Sequence, residues 1–274
     1  MCILPCQLPV RKAGFFAGLM VALSGSAAAC TDSVTTWQVA QQSDLSEWRE
    51  LDATGRQLVR ESGRLTGPEL ALTYQCGRWQ LDARMAELKG SRLYNGQTNT
   101  GVPVVSQSVI GQRQGQLQAS FALSQSWRIG ARWTVQSMAR DIASAGGASG
   151  YPENLDWRLL SIGAQWQANV GQGELTAGAW LGQQVQSSMQ VSLPGKDTSQ
   201  LPLGAIRHMD LALRWRMPLS PAWHVQLDAG FRKTEIGEGT EVIITRSGVP
   251  VGVAHQPRSV LLSRPLSIRL GYAF

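Results

Sequence analysis

No stretch of this 274-residue chain is long and apolar enough to form a membrane-spanning helix, which needs about 20 residues. The longest apolar run, Phe15 to Leu23, is nine residues. Histidine is scarce, with three copies at scattered positions, so no metal-ligand spacing exists and a metal centre is not expected. Cysteine is equally scarce: of four, Cys2 and Cys6 lie at the extreme N-terminus, leaving Cys30 and Cys76. The chain has no GxSxG nucleophile elbow and no phosphate-binding loop, which removes the lipase-like and nucleotide-hydrolysing classes and any cofactor they bring. Charged residues are only 16% of the chain, and the net charge of +6 is too small and too dispersed to indicate nucleic-acid binding.

What is present is alternation. Hydrophobic residues make up 43% of the chain, yet they interleave with polar ones at period two. The last residues show it most plainly: Leu266, Ile268, Leu270, Tyr272 and Phe274 alternate with Ser267, Arg269, Gly271 and Ala273. At the other end Arg11 and Lys12 precede the apolar run, and Ser24 to Ala29 form a small-residue exit. This reads as a secretory signal peptide over residues 1–29, followed by one domain over 30–274.

Period-two segments and turn signals predict ten strands, at 33–51, 56–76, 79–94, 104–123, 127–141, 156–169, 174–192, 205–217, 222–236 and 259–274. Connections alternate between short turns and longer links rich in Gly, Pro, Ser and Asn. That rhythm predicts an all-β, closed, antiparallel up-and-down transmembrane barrel, with short periplasmic turns and long external loops. A soluble sandwich also alternates, but it buries the apolar face. Several strands are about twice the 9–11 residues that span a bilayer, so a raised rim is expected outside, with a hairpin at Glu241–Thr245 and Val249–Val253.

The C-terminal Phe274 closing an alternating strand resembles the assembly signal of Gram-negative outer-membrane β-barrels. The resemblance implies an outer-membrane location, contact with lipids and lipopolysaccharide, and delivery to the barrel assembly machinery through the last strand. A monomer is expected. In ten strands, a raised rim and a rim-level His/Asp pair, the architecture is also similar to that of omptin surface proteases. His208 and Asp210 share the inward face near the external end of the eighth predicted strand, where Asp141, Glu153 or Asp156 could add acids. Their order, His-x-Asp, is the reverse of the omptin Asp-x-His, and 87–89 read Glu-Leu-Lys where omptins carry a second acidic pair.

Trp79, Trp127 and Trp223 each follow a short turn, which places them with Tyr74, Tyr272 and Phe274 in an aromatic girdle at the periplasmic interface. Parity sends Asp82, Arg84, Arg128, Arg132, Asp210, Arg214, Arg216, Asp228, Arg232 and Arg269 into a narrow lumen, expected to be polar and filled by paired charges. Strand seven is expected to turn Gln184 and Gln186 inward with them. A first hairpin turning at 52–55 sets Cys30 opposite Cys76, predicting a disulfide at its base; a lipidated Cys30 is the rival reading. Three functions stay open: a structural or surface-binding barrel acting through loops 95–103, 142–155, 193–204 and 237–258, a hydrolase using His208 and Asp210, and a narrow solute channel.

Overall fold

The computed structural model describes residues 30, 33–97 and 101–274. The expected signal peptide lies outside them. Thirteen strands form: β1 Ser33–Leu51, β2 Gln57–Cys76, β3 Trp79–Gln97, β4 Pro103–Ala122, β5 Trp127–Ile142, β6 Pro152–Val170, β7 Gly173–Val191, β8 Ser199–Leu201, β9 Ile206–Pro218, β10 Trp223–Ile236, β11 Val242–Arg246, β12 Val249–Ala254 and β13 Arg258–Ala273. Ten of them pair antiparallel in the ring β6-β5-β4-β3-β2-β1-β13-β10-β9-β7, and β6–β7 pairing closes it. Closure leaves the barrel without a free edge strand. The ten strands are those expected from the sequence, with bounds that differ by three residues or fewer, except that β6 begins at Pro152, four residues earlier. The seam is β1 with β13, where Trp37 faces Tyr272 and Leu51 faces Arg258.

Most barrel strands have two zones of opposite polarity, although β3 and β4 keep Leu93, Val105 and Val109 exposed on the outer face near the long loops. Near the short turns the outward side chains are apolar and exposed, such as Ile129 on β5, Leu211 and Leu213 on β9, and Leu266, Ile268 and Leu270 on β13. The inward ones there are polar and buried, such as Gln38, Gln118 and Arg132. Toward the long loops the pattern reverses. Outward positions become Arg60, Arg64, Glu87, Lys89 and Arg113, while Trp48, Leu65, Leu88, Ile110, Met138, Leu155, Trp157 and Leu159 fill the interior at 2% exposure or less.

The reversal has a simple physical origin. Strands of 16 to 20 residues, such as β2, β4 and β5, exceed the length a bilayer covers, so their loop-side halves stand in water. There the exterior must be polar, and the enclosed volume becomes an ordinary hydrophobic core. The expectation of a polar lumen therefore holds for the turn-side half and is corrected for the loop-side half, where apolar side chains form a plug around one buried cluster of Glu61, Arg92, Arg140 and Glu153. A register shift opposite Arg158 and Leu159, with Leu159 facing Gln184 and Arg158 facing Gln186, reverses the parity of β7 beyond Val185. Gln186 is consequently exposed, and Met189 and Val191 point in; the inward assignment of Gln186 is corrected.

The long loops are ordered around this plug. β11 and β12 form a hairpin whose two-residue turn has Ser247 at φ 51° and Gly248 at φ 78°, the backbone of a type I′ turn. Asp197, from the 193–204 loop, accepts from Thr245 Oγ1 (2.6 Å) and from the N–H groups of Gly248 (2.9 Å) and Ser247 (3.0 Å). Those bonds, that of Thr245 foremost, hold its carboxyl below the usual carboxylate range. Leu193, Leu203, Val242 and Ala254 pack onto the plug from the same loops.

Candidate functional site

The lumen concentrates the chain's buried charge in two networks at different heights. The lower one lies within the apolar belt. Asp210 of β9 accepts a close hydrogen bond from Arg132 of β5, across the lumen, and lies 3.7 Å from Arg232 of β10. Arg232 also donates to Gln114 Oε1 on the opposite wall at 3.1 Å. Asp228 lies 3.2 Å from Arg214 and 2.6 Å from Arg269, and Arg269 also pairs with Glu69. Asp82 accepts from Thr73 (2.7 Å) and Gln80 (2.9 Å), and Arg128 donates to Gln167 at 3.4 Å. Arg216 sits near the turns, 3.3 Å from His224. Arg84 lines the same lumen. A cavity of about 50 Å³ lies among Glu69, Arg84, Arg132, Asp210, Asp228 and Arg269, and a second, of about 420 Å³, opens by the short turns beside Arg216 and His224.

His208 and Asp210 occupy this lower wall rather than an open rim. His208 Nδ1 is 2.9 Å from Thr234 Oγ1, its direct cross-strand neighbour on β10. Asp210 faces Arg232 in the same register and is 4% exposed. The histidine and the carboxylate share a face without bonding each other, and the carboxylate is spent on two guanidiniums. Of the three extra acids expected beside them, Glu153 belongs to a different cluster, and Asp141 and Asp156 are exposed on the outer surface.

The upper network lies inside the plug, above the apolar belt. Arg140 of β5 reaches Glu50 and Glu61 at 3.0 Å and Glu153 at 2.6 Å, and its guanidinium stands 5.4 Å from the Trp48 ring. Arg92 lies 3.8 Å from Glu61 and donates to Ser46 at 2.7 Å. Ser108 donates to Glu61 at 2.6 Å. Burial lifts the Glu153 carboxyl to about 7; Glu50 and Glu61 add to the rise, against the pull of Arg140. Sequence reasoning did not single out this cluster. Its signal was parity: Glu61, Arg92 and Arg140 sit in phase with the buried Leu65, Leu88 and Met138.

At the turn end Trp79, Trp127, Trp223, Tyr272 and Phe274 all face outward and are exposed. Trp223 contacts Tyr272 at 5.0 Å between ring centroids, and Tyr272 contacts Phe274 at 6.1 Å. Trp37, and Phe121 5.0 Å from Trp79, extend the ring of aromatics beyond the residues read from the sequence. Cys30 and Cys76 are joined by a disulfide, with Cα atoms 5.9 Å apart, at the base of the β1–β2 hairpin. Among the described residues no three His, Cys, Asp or Glu side chains converge as metal ligands.

No protein-family model matches this chain, and no curated protein sequence does either. Solved structures do. The outer membrane protease OmpT from Escherichia coli overlays 89% of this chain and 97% of its own with a TM-score of 0.59 at 10% identity. The fold is that of the outer-membrane β-barrels. The translocator domain of the autotransporter NalP from Neisseria meningitidis covers 87% of this chain and 88% of its own at TM-score 0.47 and 12% identity. The Ail protein of Yersinia pestis covers 88% and 99% at TM-score 0.37 and 8% identity. In this chain an apolar belt, a charged lumen and a capped rim follow one another from the short turns to the long loops.

Proposed function

We propose that this chain is a monomeric outer-membrane barrel of a Gram-negative bacterium that acts at the cell surface, through its raised rim and loops, with a structural or binding role and no transport through its lumen. The observation that carries this reading is the filled interior: an apolar plug over a lumen crossed by ion pairs, where the cavity among the charges is about 50 Å³, room for a few water molecules. Loops 142–155, 193–204 and 237–258 are tied down, which gives a partner a rigid surface. The commitment of Asp210 to Arg132 and Arg232 argues against the hydrolase reading, and the plug argues against the channel.

Lipopolysaccharide is the expected lipid neighbour. Where the outward apolar side chains end, Arg64 of β2 and Arg264 of β13 both face Leu45 of the intervening β1. Two guanidiniums flanking an apolar side chain suit phosphate at the edge of a hydrocarbon layer. The last strand, with Phe274 at its end, is the segment that assembly machinery would engage.

Two measurements test the reading together. In planar bilayers the refolded mature chain is expected to produce no current steps. In intact cells a membrane-impermeant maleimide is expected to label Ser247→Cys in the long hairpin and to spare Ser220→Cys in a short turn. Discrete conductance, or the opposite labelling, overturns it.

A further inference from the structure

The lower lumen is over-supplied with positive charge. Five guanidiniums line its cavity, those of Arg84, Arg132, Arg214, Arg232 and Arg269, against three carboxylates, of Glu69, Asp210 and Asp228. Each carboxylate is already engaged: Asp210 with Arg132 and Arg232, Asp228 with Arg214 and Arg269, and Glu69 with Arg269. Asp82, the next acid along β3, is turned to Thr73 and Gln80, and Asp44, higher on β1, accepts from Ser263, so neither pairs with a guanidinium among the described residues. Arg84 is the group left over. It makes no hydrogen bond and no ion pair within 4 Å among the described residues, and its side chain borders the cavity.

Glu69, Asp82, Asp210 and Asp228 attract Arg84 only from a distance, each bonded elsewhere, and a buried guanidinium without a direct partner is costly and cannot shed its charge by deprotonation. Its remaining recourse is a counterion. We propose that the lumen binds one small inorganic anion, of the size and charge of chloride, beside the Arg84 guanidinium. The cavity of about 50 Å³ admits a monatomic anion and excludes bulky organic ones. Gln116, Gln165 and Thr176 on the same lining provide neutral donors to complete its shell. The anion completes the charge balance of the wall, so its role is to stabilise the closed lumen and not to pass through it.

The test uses the refolded mature chain in a zwitterionic detergent, with sodium chloride against sodium gluconate at equal ionic strength. Chloride is expected to raise the unfolding midpoint by about 3–5 °C per tenfold concentration above half-saturation. Gluconate is expected to do nothing comparable, and Arg84→Gln is expected to abolish the difference. Crystals of the unmodified protein grown in bromide provide a reading that does not depend on the variant folding: an anomalous peak beside Arg84 supports the site. Equal midpoints in the two salts, a chloride response that survives Arg84→Gln, or a cavity without a bromide peak overturns it.

Discussion

The guanidinium of Arg132 lies over the ring of Trp180, 4.1 Å from carbon to centroid, while its edge pairs with Asp210. The stack continues beneath the ring, where Gly163 faces Trp180 across the β6–β7 ladder. A Cβ on Gly163 would sit 2.3 Å from the Ala179 carbonyl oxygen and 2.5 Å from the indole carbons, so neither the neighbouring backbone nor the ring leaves room for a side chain. Gly163→Val is therefore expected to displace Trp180 and with it Arg132, costing about 1–3 kcal/mol. The midpoint of thermal unfolding in detergent measures it, and an unchanged midpoint would show that the stack does not matter.

Asp210 and His208 are expected to differ sharply when removed. Asp210→Ala leaves Arg132 buried without its partner, a loss of about 3–5 kcal/mol for a broken buried pair. His208→Ala removes one hydrogen bond to Thr234, with an expected loss nearer 1 kcal/mol. Unfolding midpoints of the two variants decide between this structural asymmetry and a joint role. If both variants keep the parent midpoint and a peptidase activity of the parent disappears in both, the pair is catalytic.

Strand number and ladder order were legible because their signals are local; the first hairpin's register was read a few residues off, since Cys76 faces Ser33 in the ladder and not Cys30. Parity, turn residues and the short spacing between Gly77 and Trp79, or between Pro218 and Trp223, are all read from neighbours in sequence. The plug was equally present, in Trp48, Leu65, Leu88 and Ile110, but one inside-outside rule was carried along each strand although the surroundings change from lipid to water part-way. Ion partners were not legible, since Arg132 and Asp210 are 78 residues apart and meet only across the lumen. For His208 and Asp210 the shared face was read correctly and the contact was not. Residues two apart on a strand are about 6.6 Å apart, whereas cross-strand neighbours such as Thr234 and Arg232 stand closer.

Glu153 gives the plug a pH dependence of defined sign. Its folded pKa is raised to about 7 from 4.5, so the folded state holds a proton that the unfolded chain releases as pH climbs through 4.5. Its contribution is most favourable below about pH 4.5, declines as pH rises to about 7, and is level above that, over a range of up to roughly 3 kcal/mol. Glu153→Gln keeps the shape and removes the titration. The difference in unfolding free energy between parent and variant is expected to move in the variant's favour from pH 5 to pH 8. A difference that stays flat over that interval counts against a protonated Glu153.

The disulfide makes its own prediction. Cys30 and Cys76 close a loop with a sequence separation of 46, for which the chain-entropy account gives roughly 4 kcal/mol. The bond ties residue 30 to the end of β2, and the β1–β2 ladder runs on beyond it from Ser33 and Cys76 to Leu51 and Gln57. Reduction is thus expected to lower the unfolding midpoint while leaving the barrel folded. Mass measurement should show that two thiols become alkylatable only after reduction. A free thiol before reduction, or a lipid adduct on Cys30, would remove the bond from the mature protein.

Arg64 and Arg264 supply the last prediction. Both flank Leu45 at one height, and neither has an ion-pair partner within 4 Å among the described residues, unlike Arg49 and Arg60 nearby, which share Glu47. Exposed guanidiniums contribute little to folding on their own, so Arg64→Gln and Arg264→Gln should leave the unfolding midpoint in detergent within about 0.5 kcal/mol of the parent. Their effect should emerge when a phosphorylated lipid is present. Adding lipopolysaccharide to the parent is expected to raise the midpoint more than adding the same lipid stripped of phosphate, because a guanidinium binds phosphate in a bidentate manner at the edge of the apolar belt. The double variant should respond equally to both lipids. A parent protein that does not distinguish the two lipids would separate the paired arginines from lipid recognition and leave them as solvated surface charge.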